Sequence, residues 1–160
     1  MTTQSYPQLE LDRQLCFPLY AAARAVVRAY GPLLADVGLT YPQYLVMLAM
    51  WGARGEAMTV GDVGRRVQLD TGTLTPLLKR LEAAGHLRRR RDPADERRVL
   101  LELTQQGWGL RERVAHVPGD LLRTMQLERS DIDVLRGVLS RLVEHLGPAD
   151  SGQPGDAVAV

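Results

Sequence analysis

A mainly α fold, with long helices at both ends and two short helices plus a basic hairpin between them, is what the sequence predicts. Three observations predict it. Apolar residues recur at helical spacing over most of the 160 residues. Capping side chains stand in front of those stretches, and glycines close them. Only between Gly85 and Thr104 does the pattern change, to two short runs flanking a polar turn.

Taken in order, the first helical stretch is expected over residues 11–30, stopping at Gly31-Pro32. Pro18 either kinks it or marks the first turn of a helix starting near Phe17; both options put Cys16 at or beside irregular backbone. A short helix over residues 33–37 ends at Gly38. Thr40 reads as an N-cap, with Pro42 in the first turn and Gln43 placed for a capping box. The helix it opens, residues 41–53, is apolar almost all round and belongs in the core. Thr59 caps the next helix, with Asp62 three residues on, and that helix ends near Val67. Asp70 caps another, which carries Leu74, Leu77, Leu78 and Leu81 on one face and stops at Gly85.

Residues 86–91 and 97–103 then read as two strands around the polar turn 92–96. Thr104 caps a long helix reaching about Val117, bent or broken at Pro118-Gly119. Ser130 caps the last, whose stripe is Ile132, Leu135, Val138, Leu139, Leu142, Val143 and Leu146. Residues 147–160, rich in Gly, Pro, Asp and Ala, read as a disordered tail, and residues 1–8 as a flexible N-terminus.

Two helices followed by a basic hairpin is the order of a winged helix-turn-helix. Residues 9–146 are thus expected to form one domain, with the winged helix-turn-helix over 40–104. Residues 9–38 and 105–146 supply long helices, and helices apolar along their length in so small a domain predict a two-fold homodimer.

Charge points the same way. The whole chain carries +1, yet eight basic and four acidic residues lie between Lys79 and Arg98, so that window holds +4 and the remainder −3. One locally basic segment suggests a polyanion engaged at one place. Apolar stretches are broken well before the roughly 20 residues of a membrane span, and the N-terminus lacks a secretory pattern. A cytoplasmic protein with no membrane partner is expected. The single cysteine, Cys16, excludes an intrachain disulfide and a zinc site of paired cysteines. His86, His116 and His145 lack ligand spacing, and no nucleophile–base set or phosphate-cradling loop is present, so neither metal nor cofactor is assigned.

The helix opened by Asp70 would be the recognition helix. Its early residues Thr71, Thr73 and Thr75 suit a helix N-terminus entering a major groove, where hydroxyls reach base edges and methyls meet thymine. Lys79 and Arg80, one to two turns on, are placed for the backbone, and Arg88 and Arg90 of the basic strand are expected to bind DNA with them. Asp95 and Arg97 hold the hairpin tip, where an arginine can enter a minor groove. Singly, the threonines also make sense as capping residues and the arginines as a solvated edge. The ordered set favours double-stranded DNA.

The run Leu69-Asp70-Thr71-Gly72-Thr73-Leu74-Thr75-Pro76-Leu77-Leu78-Lys79-Arg80-Leu81-Glu82, with Asp92-Pro93-Ala94-Asp95-Glu96-Arg97 and Leu103-Thr104-Gln105-Gln106-Gly107, resembles the MarR family of dimeric winged-helix repressors. Leu11-Asp12-Arg13-Gln14-Leu15-Cys16-Phe17-Pro18-Leu19-Tyr20 and Leu39-Thr40-Tyr41-Pro42-Gln43-Tyr44-Leu45 are similar to its OhrR branch, the organic hydroperoxide sensors. The resemblance spans about residues 9–146 and departs at Pro18, where the branch has an ordinary helix former. It implies that Cys16 is the reactive cysteine and that Tyr30 and Tyr41 hydrogen-bond its sulfur from the partner subunit. It also implies that Thr71 and Thr73 face DNA and that Arg97 enters the minor groove. Organic hydroperoxide is then the signal, the operator is palindromic, and with no second cysteine a low-molecular-weight thiol forms the mixed disulfide. Two other readings stand beside it: release by a small aromatic ligand with Cys16 inert, and a thiol peroxidase turning over at Cys16.

Overall fold

The computed structural model describes residues 6–147. Within them, residues up to Leu121 make one compact unit and those from Leu122 a second. The expected tail from residue 148 on, and residues 1–5, lie outside the described residues. The rest of the expected N-terminal segment begins in a 3-10 turn at Pro7–Leu9.

The first helix does not start at Leu11. A second 3-10 turn, Leu11–Arg13, comes first, and α1 runs Cys16–Leu34. Pro18 falls on its third residue, in the first turn, where a missing N–H leaves nothing unbonded. Pro32 lies inside α1, so Gly31-Pro32 does not stop it. Packing overrides the local signal here: Tyr30 and Leu33 rest on the core and Leu34 is fully buried in it. The expected short helix is the 3-10 turn Ala35–Val37, ended by Gly38 at φ +69.

The middle of the chain follows its capping residues. In α2, Tyr41–Gly52, Gln43 Oε1 accepts the Thr40 backbone N–H at 2.9 Å. In α3, Val60–Val67, the Thr59 hydroxyl accepts Asp62 N–H at 3.1 Å while Asp62 Oδ2 accepts Thr59 N–H at 3.0 Å. Helix α4 spans Thr71–Ala83. Of the strands, β1 is Met58–Thr59, β2 is Leu87–Asp92 and β3 is Asp95–Leu103. The sequence did not foretell β1, which completes an antiparallel sheet in the order β1-β3-β2.

α2 supplies the centre of the core. Tyr44, Val46, Met47 and Met50 are each at most 2% exposed, and Leu74, Leu78 and Leu81 of α4 close on them. Burying each such side chain is worth about 1.5–3 kcal/mol. The Trp51 indole N–H donates to Gly107 O at 3.0 Å, tying α2 to α5, Gln105–Val114. A Cβ on Gly107 would overlap the His86 carbonyl oxygen, so α5 lies directly on the chain leading into β2.

After α5 the expected break moves. It falls before Val117, not at Pro118-Gly119, and α6 is Val117–Met125 with Pro118 in its first turn. Proline opens this helix instead of ending one. In the second unit α7 is Arg129–Leu146, capped at Glu128 and not at Ser130. None of its residues is buried. Among the described residues, no single helix is long and apolar enough to cross a membrane.

Candidate DNA interface and thiol sensor

The α3–α4 turn is tight because Gly64 carries no side chain: a Cβ there would stand 2.9 Å from Leu69 O. Asp70 then caps α4, its Oδ1 accepting Thr73 N–H at 2.9 Å and its Oδ2 the Thr73 hydroxyl at 2.7 Å. Those bonds hold the Asp70 carboxyl below its ordinary range. The buried leucines turn the opposite face outward, with Thr71, Gly72, Thr73, Pro76, Lys79 and Arg80 all exposed. Thr75 is half-buried, and its hydroxyl donates to Thr71 O at 2.7 Å, so it is committed to the helix backbone. Pro76 has no N–H for the Gly72 carbonyl, yet α4 continues through it.

The hairpin keeps most of its basic charge tethered. Arg88 Nε donates to Glu102 Oε2 at 2.9 Å, Arg90 binds Glu102 Oε1, and Arg89 binds Glu82. Sequence reasoning placed Arg88 and Arg90 toward DNA and did not foresee these carboxylates. The signal was present in the pairing, since Arg88 stands opposite Glu102 on the next strand. Both carboxyls are held below the ordinary range, Glu102 chiefly by Arg90 and Arg88 and Glu82 chiefly by Arg89. At the tip, Asp92 Oδ1 accepts Ala94 N–H at 2.9 Å and Asp95 Oδ1 accepts Arg97 N–H at 3.1 Å, which shapes the turn. Among the described residues, the guanidinium groups of Arg91 and Arg97 have no carboxylate partner and are exposed.

The thiol stands at the other end of the fold's first helix. Cys16 is the first residue of α1 and exposed, amid Leu15, Phe17, Leu19 and Tyr20, which are themselves exposed. Tyr30 and Tyr41 do come together, their rings stacked with centroids 4.4 Å apart, and Tyr44 lies 5.7 Å from Tyr30. Burial, with the neighbouring phenols, pushes Tyr30 up to about 12. Burial raises Tyr41 as well. Both therefore remain neutral O–H donors at any physiological pH. Fourteen residues of continuous helix at 1.5 Å each put Tyr30 about 21 Å along the axis from Cys16 of the same chain. No intrachain hydrogen bond spans that gap.

The family described as "Transcriptional regulator SarA/Rot" matches residues 28–114, which hold the stacked tyrosines and the whole winged helix. The "Organic hydroperoxide resistance transcriptional regulator" of Bacillus subtilis (strain 168) is 41% identical over 141 residues, 88% of this chain and 95% of that one. The chain belongs to the MarR-type winged-helix regulators, on the OhrR branch. Another relative at that level is the "HTH-type transcriptional regulator TtmR" of Methylorubrum extorquens (strain PA1), 46% identical over 153 residues, 93% of this chain and 77% of that one. Among solved structures, reduced AbfR bound to DNA is similar at 34% identity and TM-score 0.74, over 87% of this chain and 96% of that one. In this MarR-type chain the residues that the sequence analysis expected to face DNA lie on α4 and the hairpin, while Cys16 stands apart from the tyrosines named with it.

Proposed function

We propose that the chain is a dimeric repressor that holds a palindromic operator when Cys16 is reduced and releases it when organic hydroperoxide oxidises that residue. One observation carries the reading: Cys16 is exposed on α1 about a helix length from its own chain's neutral phenol pair. A thiol–phenol contact is completed only by a second copy. Exposed Phe17, Leu19 and Tyr20 on α1, and Val134, Leu135 and Val138 on α7, are apolar surface of the kind such a dimer covers.

The chemistry follows from one sulfur. The Cys16 thiolate attacks the terminal oxygen of ROOH; an S–O bond forms, the O–O bond breaks, and the alkoxide leaves to take a proton as ROH. Tyr30 and Tyr41 of the second copy, as neutral donors, orient the sulfur. The sulfenic acid then condenses with a low-molecular-weight thiol, giving a mixed disulfide and water. The added group separates the sulfur from the phenols at the subunit seam. The two recognition helices then no longer match half-sites one helical turn apart. The protein acts in the cytoplasm and is not an enzyme.

A second reading has its own observation. A cavity of about 460 Å³ lined by Tyr44, Leu48, Trp51, Trp108 and Arg111 is of a size and chemistry for a small aromatic ligand. A gel shift with organic hydroperoxide separates the two. Cys16→Ser is expected to bind operator like wild type and to stay bound under peroxide that releases at least nine-tenths of wild type, about 1.4 kcal/mol of coupling or more. Peroxide-driven release of Cys16→Ser would defeat the sensor. Many turnovers of peroxide per subunit at a useful rate, with thiol in excess, would instead favour a peroxidase.

A further inference from the structure

Of the four consecutive arginines, one reaches back to the recognition helix. Glu82 on α4 meets Arg89 on β2 at three points: its Oε1 accepts the Arg89 backbone N–H at 3.0 Å, and its Oε2 accepts Nε at 2.7 Å and also the terminal guanidinium nitrogen Nη2. The Arg89 and Glu82 side chains are 32% and 33% exposed, so both partners are part-shielded from water. Arg88 and Arg90 bind Glu102 on the neighbouring strand, and their bonds stay inside the hairpin. Leu78 and Leu81 fix α4 to the core on one side of Glu82, and Leu87 anchors the base of β2 on the other. Arg89 and Arg90 still lie opposite buried Leu101 and Leu100, which also pair with β1; beyond them the hairpin leaves the core as two strands, with Arg91 and Asp95 through Val99 exposed. A two-stranded ribbon without a packed face is marginal alone and pivots at its base.

We infer that Glu82 is a positioning residue for DNA binding, its carboxylate setting the angle between α4 and the wing. With the angle set, Thr71 and Thr73 enter one groove while Arg97 reaches the next. The inference rests on the reading of α4 and the hairpin as the DNA-contacting elements. Its sign is opposite to that of simple electrostatics. A carboxylate beside DNA repels phosphate, so its removal alone tightens binding; removal of a positioning residue weakens it.

The test is fluorescence anisotropy on the reduced full-length protein. The probe is a duplex of about 30 base pairs, long enough for two half-sites, that wild type selects from a random-sequence pool. Glu82→Gln is expected to weaken binding about tenfold. It also lowers the slope of log K against log salt by about 1.8, because each of the two wings neutralises one phosphate fewer, at about 0.9 each. Glu82→Asp keeps the charge but draws the carboxylate back by one methylene, and it weakens binding too. Arg89→Gln weakens binding to the same degree, and the double variant binds no more weakly than either single one. Thermal denaturation checks that each variant is folded, since a part-exposed ion pair adds little to folding stability. Unchanged or tighter binding by Glu82→Gln, an unchanged salt slope, or additive effects in the double variant overturns the inference. Failure of wild type to select any duplex overturns the DNA-binding reading instead.

Discussion

α4 and α7 both carry apolar residues at helical spacing, and they end in opposite circumstances. In α4, Leu74, Leu77, Leu78 and Leu81 are at most 8% exposed, closed in by α2 and the base of the sheet. In α7 no residue is buried, and Val134 and Leu146 stand 67% and 75% exposed. The same periodicity serves two purposes. One helix satisfies its apolar face within its own chain, so the winged helix has a core of its own. The other leaves that face exposed, the surface that the proposed dimer would cover.

Substitutions can break or sharpen this contrast. The largest effect is expected from Leu81→Ala, which empties a fully enclosed site beneath the recognition helix and costs about 2–5 kcal/mol in urea denaturation. Val138→Asp is expected to act elsewhere. It shifts sedimentation from dimer to monomer and lowers operator affinity, while winged-helix stability changes by about 0.5 kcal/mol or less. Cooperative unfolding of the winged helix by Val138→Asp would dissolve the distinction between the two helices.

The smallest effect is a pH dependence. His86, 7% exposed, joins α4 to β2, and its Nδ1 has no hydrogen-bond partner among the described residues. Burial, then Arg113, lowers its pKa from the ordinary 6.5. The unfolded chain therefore binds the proton more readily, and stability present above pH 6.5 is lost as pH falls below it. Melting at pH 7 and pH 5 is expected to show a larger drop for wild type than for His86→Gln, which has no proton to gain. Equal drops would assign the acid sensitivity to other groups.

The winged helix was legible because its signals are local. Thr40 with Gln43, Thr59 with Asp62, and Asp70 each sit next to the backbone they cap, and the observed helices begin where those residues say. Errors came where packing decides. Gly31-Pro32 looks like a stop, yet Leu33 and Leu34 hold α1 onto the core beyond it. Pro118 looks like a break and instead opens a helix. β1 is two residues long and exists by pairing with Leu100 and Leu101, some forty residues away, which no short window contains. Of the site, the chemistry of each residue was readable and its partner was not. Arg88, Arg89 and Arg90 announce themselves as basic, but that Glu82 and Glu102 engage them depends on how a helix and two strands meet.

Two glycines of α5 differ in the same way at atomic scale. Gly109 has nothing within 4 Å of where a Cβ would stand, whereas at Gly107 that atom would collide with main-chain oxygen. Drift over generations is therefore free to enter at the first and barred at the second. An alanine is accommodated at 109, whereas any side chain at 107 would force the stretch leading into the wing to re-route.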